Sequence, residues 1–97
     1  MESKTTALFE SVFEDQRVRV SRWTFTNGQQ TGMHIHEFDY VAIPILDGDF
    51  EVTMGDGSVV EMTQHAGEPY SRSKGVHHNV KYVGQTKGQF IEIEYLT

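Results

Sequence analysis

From Arg17 onward the chain alternates short runs rich in β-branched and aromatic residues with turns that carry glycine, the pattern of an all-β sandwich or barrel. The run from Arg17 to Thr26 ends at Asn27-Gly28, and a nearly all-apolar run from Tyr40 to Leu46 ends at Asp47-Gly48. That second turn leads straight into Phe50 to Met54, so the two runs are expected to pair as a hairpin. Asp56-Gly57 separates the Phe50 run from Val59-Val60-Glu61-Met62 and predicts another hairpin by the same turn chemistry. Further strands are expected over 76–83 and 89–96, the latter alternating as Phe90-Ile91-Glu92-Ile93-Glu94-Tyr95-Leu96. Only Ala7 to Asp15 hints at a helix, and one of that length is marginal without packing.

The length of 97 residues suits one modest core, so a single domain over 1–97 is expected. A net charge of -6, with eight Lys and Arg scattered along the chain, argues against a nucleic-acid partner, whose phosphates need clustered cations. Without cysteine there is neither a disulfide framework nor a thiolate site, and any metal must be held by nitrogen and oxygen. The first residues, Met1-Glu2-Ser3-Lys4-Thr5-Thr6-Ala7, lack a basic stretch followed by a long apolar run. No signal peptide or membrane span is therefore expected, and the default location is the cytoplasm.

The chemistry concentrates in two segments, Gly32-Met33-His34-Ile35-His36 and Gly75-Val76-His77-His78. Side chains alternate along a strand, so His34 and His36 share a face if their segment is extended. Together with one histidine of the second segment they offer three imidazoles, enough to hold one transition metal. His77 and His78 are adjacent and cannot both face inward. His65, beside Ala66-Gly67, reads as an exposed turn histidine.

In these segments the chain resembles the cupin family. Gly32 to Gly48 looks like that family's first motif, which runs from a glycine through His-x-His to a Glu and a closing glycine; Tyr40 stands where the Glu should be. Gly67 to Tyr82 looks like the second motif, with Ser73 for the usual proline, Gly75 kept, His78 on the ligand position and Tyr82 for the usual Asn. The resemblance implies a small double-stranded β-helix, a jelly-roll barrel with a metal in its mouth, and the turn spacing is consistent with it. It implies His34, His36 and His78 as the metal ligands. The pattern from Thr31 to Gly48, with Gly67-Glu68-Pro69-Tyr70 and Gly75 to Val80, is also similar to a group of very small bacterial cupins assigned to β-alanine degradation. In that group the tyrosine at the Glu position belongs to the pattern.

Strand parity agrees with the ligand choice, since His34, His36, Phe38 and Tyr40 share one face of an unbroken strand while Glu37 and Asp39 point the other way. Pro44, further on, implies an edge or a bulge. Three imidazoles without a carboxylate suit one divalent ion of Fe, Zn, Ni or Cu better than Mg or Ca. Glu92 or Glu94 remains an alternative source of oxygen from another strand. Tyr40 is the candidate catalytic residue, as ligand, acid or orienter of the site, against the reading of a packed aromatic. Arg72 is a candidate clamp for a substrate carboxylate, against a surface arginine. Trp23 is a candidate substrate platform, against a core residue.

Two functions are open at this point. One is a metal-dependent enzyme (a lyase, isomerase or dioxygenase) acting on a small carboxylate or carbonyl metabolite, with the metal as Lewis acid. The other is a non-catalytic cupin that binds a metal or a small ligand. A chain this short leaves no room for the DNA-binding segment a sensor would need, which favours the enzyme. The modest content of large apolar residues predicts a homodimer that buries further surface.

Overall fold

The computed structural model describes residues 5–97 and is all-β. Among the described residues nine strands form: β1 (Leu8–Glu14), β2 (Val18–Thr26), β3 (His34–Ile35), β4 (Tyr40–Pro44), β5 (Gly48–Met54), β6 (Val59–Gln64), β7 (Tyr70–Arg72), β8 (His77–Tyr82) and β9 (Lys87–Tyr95). They make two antiparallel sheets that close a small barrel, one in the order β1-β2-β9-β4-β7 and the other β3-β8-β5-β6. No helix of the described residues is long and apolar enough to cross a membrane.

Two expectations about the elements are corrected. The helix hint at Ala7 to Asp15 is instead strand β1, paired antiparallel to β2 from Leu8↔Thr24 to Glu14↔Arg19. A register shift between Ser11 and Phe13 marks a bulge, which explains why the apolar residues of this strand do not alternate strictly. A short isolated helix gains little, whereas the β2 ladder satisfies the β1 backbone groups that face it and packs the strand on the sheet edge. The expected hairpin between the Tyr40 and Phe50 runs does not form either. β4 lies between β9 and β7, while β5 lies between β8 and β6, so Asp47-Gly48 carries the chain from one sheet to the other. The local chemistry at that crossing is still a turn, with the Asp47 carboxylate accepting the Ala66 N–H at 2.7 Å. Pro44 sits at the end of β4, opposite Phe90 and beyond the last β7 pair at Ala42, where its missing N–H leaves no partner unsatisfied. The second predicted hairpin is present as β5–β6, turning at Gly57 with φ near +90°.

The registers arrange the inward side chains in levels. One end of the barrel is closed by Phe25, Phe50, Phe90 and Tyr82, with Val52 and Val80 above them. Phe50 faces Tyr82 across the β5–β8 ladder, and Phe25 lies opposite Gly88 on β9. A Cβ at Gly88 would stand 2.9 Å from the Tyr82 ring and 3.1 Å from that of Phe50, so the rings meet only because that position has no side chain. At the other end the same ladders bring in polar groups: Met54 faces His78, His78 faces His34, and Tyr40 faces both Glu94 and Arg72. The apolar end thus holds the barrel shut while the open end carries the chemistry.

Candidate metal centre and cavity

His34 lies on β3 and His78 opposite it on β8, a pairing that sets their rings side by side. His36 has left the strand, and the chain breaks between β3 and β4, which belong to different sheets. The unbroken strand expected from His34 to Tyr40 is therefore corrected. His36 is held instead by two backbone hydrogen bonds to the second histidine segment: its N–H donates to the Val76 carbonyl at 2.9 Å, and its carbonyl accepts the Gly75 N–H at 2.8 Å. Gly75 makes that approach with φ near +93°, a conformation that favours glycine. Tyr40 still reaches the site by this altered route, its ring stacked on that of His36 at 4.0 Å with 24° between the planes.

The three histidines converge. His36 Nε2 lies 3.1 Å from His34 Nε2 and 3.3 Å from His78 Nε2, and the ligand atoms of all three fall within 4.8 Å of one another. His34 Nδ1 is 2.7 Å from the Gly32 carbonyl, which can only accept, so the proton of neutral His34 sits on Nδ1 and Nε2 presents a bare lone pair. Burial, reinforced by the repulsion a protonated neighbouring imidazole would exert, pushes His36 and His78 down to about 4, which keeps both neutral at pH 7. One proton can bridge only one of these nitrogen pairs, whereas a single cation takes all three lone pairs. The donor set therefore fits a divalent transition metal. His77 and His65 are exposed and stand apart from this cluster.

A cavity of about 280 Å³ extends from His78 into the barrel. The five-stranded sheet supplies one wall, with Tyr40, Tyr70, Arg72 and Glu92, and the other sheet supplies an apolar wall with Val52, Met54, Met62 and Val80. It runs along the seam where β6 and β7, the last strands of their sheets, face each other unpaired. Arg72 is exposed at that seam, with its guanidinium carbon 4.5 Å above the Tyr70 ring. A second hollow on the opposite side of the histidines is lined by Phe9, Arg19, Trp23, His34, His36 and Glu92, among others. Trp23 lies in this hollow and not in the main cavity; it is half-buried, packed edge-on to Phe9 at 4.9 Å and stacked with Phe25 at 6.2 Å.

Glu92 borders both hollows and is the group that sequence reasoning held only as a spare oxygen donor. Its side chain is 8 % exposed. Burial first, then the neighbouring Glu94 charge, push its carboxyl up to about 7, opposed by a hydrogen bond from Trp23. Ser21, beside it on β2, buries a hydroxyl that has no hydrogen-bond partner. Among the described residues neither Glu92 nor Glu94 joins the histidine cluster, and Glu94 is drawn toward Arg19 at 3.9 Å. The signal for Glu92 was present in the sequence: in the alternation of β9 it shares parity with Phe90, the inward face. Burial also drives the Tyr40 phenol far above its ordinary range, with Glu92 adding to the effect, and pushes Tyr70 up to about 12.

No protein-family model matches this chain. It is 34% identical over 85 residues, 84% of each chain, to the Beta-alanine degradation protein BauB of Pseudomonas aeruginosa. It is 33% identical to a cupin domain of known crystal structure from Bordetella pertussis, which superposes with a TM-score of 0.90 over 98% of both chains. The chain belongs to the cupin superfamily. A more distant cupin from Methanocaldococcus jannaschii, described as a double-stranded β-helix, shares the fold at a TM-score of 0.76 with 15% identity, over 94% of this chain and 81% of that one. The two imidazole segments and the tyrosine between them are thus set in a cupin barrel in which His34, His36 and His78 meet.

Proposed function

We propose that this cupin is a metal-dependent enzyme acting on a small carboxylate or carbonyl metabolite, with one divalent transition metal held by His34, His36 and His78. The convergence of three imidazole nitrogens beside a cavity that also contains a phenol and a buried carboxyl is the observation that carries this reading. When bound, the metal supplies Lewis acidity toward an oxygen of the substrate. The remaining work falls to the chain. Tyr40 keeps its proton on Oη at neutral pH, since burial raises its pKa, and offers that O–H as a hydrogen-bond donor to an oxygen of the substrate. Glu92, pushed up to about 7, is partly ionised near neutrality and suited to take or return a proton at its carboxyl. Arg72 at the seam offers a cation to a substrate carboxylate. The apolar wall excludes water and strengthens each of these interactions.

A site that only stored a metal or bound a ligand would have no need of a carboxyl poised near neutrality in the same cavity, which favours the enzyme over the non-catalytic binder. The name of the Pseudomonas relative places that protein in β-alanine degradation and specifies no reaction, so the substrate is argued from the cavity alone. The test is turnover of a panel of small carboxylate and carbonyl metabolites by metal-loaded protein. Activity that disappears on chelation and returns with metal is expected; equal activity in fully chelated protein would contradict the proposal.

A further inference from the structure

The cavity is chemically divided along its length. At its open end, Arg72 lies opposite Tyr40 on the β4–β7 ladder. Arg72 lines the cavity there together with Tyr40, Tyr70 and His78, which places its side chain at the head of the cavity. Its ring contact with Tyr70 and a hydrogen bond to the Ser71 carbonyl at 2.9 Å hold it there. Among the described residues every other arginine lies within 4.0 Å of a carboxylate, whereas Arg72 does not. In a chain of net charge -6, a cation left free at a cavity mouth is set for an anion from outside. Deeper in, Val52, Val80, Met62 and Phe90 offer no hydrogen-bonding side chain, and the polar groups that share the lining beyond Arg72, the carboxyls of Glu92 and Glu61 among them, include no second cation.

We infer that the cavity binds a short aliphatic monocarboxylate, its carboxylate on Arg72 beside the histidines and its tail against Val52, Met62, Val80 and Phe90. This rests on the proposed reading of the site and narrows its substrate class. The size follows from the volume: at about 30 Å³ for each water-sized unit, 280 Å³ holds roughly nine non-hydrogen atoms, a carboxylate and a tail of about five or six carbons. A second anionic group at the inner end would lose its hydration with no cation to replace it and would meet the Glu92 carboxyl.

The test uses chelated protein and straight-chain acids from acetate through butyrate and hexanoate to decanoate, with affinities measured by calorimetry or NMR shifts. Affinity should rise roughly fourfold per methylene up to hexanoate and stop rising at decanoate. Arg72→Met should weaken all acids about tenfold or more, irrespective of length. Met62→Trp, or Val60→Trp at the half-exposed lip, should weaken hexanoate and spare acetate. Hexylammonium should not bind. Affinities independent of chain length, binding unaffected by Arg72→Met, or hexylammonium binding as well as hexanoate would each overturn the inference. Because no metal is present, these outcomes are separate from the test of the metal-dependent reaction.

Discussion

Acidification of the chelated protein tests the electrostatics of the site. His36 and His78 have folded pKa values of about 4 against an ordinary 6.5, so between these limits the unfolded chain binds protons that the folded chain refuses. Stability supplied by these neutral imidazoles is present above pH 6.5 and is lost as pH falls toward 4. Between pH 7 and pH 5 each contributes a loss of about 2 kcal/mol, together about 4 kcal/mol. Glu92 acts in the opposite sense. Its folded pKa of about 7 lies above the ordinary 4.5, so its buried neutral form favours folding at low pH, and that advantage is lost as pH rises through 7. Over the same interval its acidification returns about 2 kcal/mol, leaving a net loss of about 2 kcal/mol. Urea unfolding at pH 7, 6 and 5 in the presence of chelator measures both quantities. The parent should lose about 2 kcal/mol from pH 7 to 5, and Glu92→Gln about 4 kcal/mol. A parent whose stability is flat or rises on acidification, or a Glu92→Gln variant no steeper than the parent, would refute the assigned burial effects.

Other expectations follow from the same geometry. His78→Ala should abolish tight metal binding, while His77→Ala and His65→Ala leave it intact, measured by metal titration; equal loss in the His77 variant would place the wrong histidine in the site. Tyr40→Phe keeps the ring stacked on His36 and removes only the oxygen. It should melt like the parent while metal affinity or turnover falls at least tenfold, about 1.4 kcal/mol; unchanged affinity and activity would make Tyr40 a packing residue. Self-association is proposed through the outer face of the five-stranded sheet. There the registers align Phe13, Val20, Ile93 and Val41 in one uncharged row, the place where two copies of net charge -6 repel each other least. Light scattering at micromolar concentration should give the mass of a dimer, and a monomer mass would contradict it.

The strands that proved legible in the sequence are those whose pattern reflects local chemistry. β2, β8 and β9 alternate or carry β-branched residues between glycine turns, and the β5–β6 hairpin is written in its Asp56-Gly57 turn. The errors lie where a local signal is satisfied by more than one partner. Asp47-Gly48 specifies a turn but not whether the next strand joins the same sheet, and the choice depends on β7 and β9 occupying both sides of β4. β1 reads as a weak helix because the bulge after Ser11 breaks its alternation, a feature fixed by pairing to β2. The three histidines were legible because motif spacing constrains them. The position of Tyr40 was anticipated for a reason that fails: no continuous strand connects it to His34, and its stacking on His36 is set by the loop that crosses between sheets. Glu92 was legible by parity but its importance was not, because a strand pattern does not reveal that Ser21 and Ala42, its neighbours across the ladders, leave it buried against the cavity.

The proposed function depends on His34, His36 and His78 forming a single metal site. Elemental analysis of protein purified without a histidine tag, reconstituted with Fe, Zn, Ni or Cu and freed of excess metal, measures it most directly. One transition-metal ion per chain is expected in the parent and essentially none in His78→Ala. A parent that retains no metal from any of the four, or a His78→Ala variant that retains as much as the parent, would contradict it.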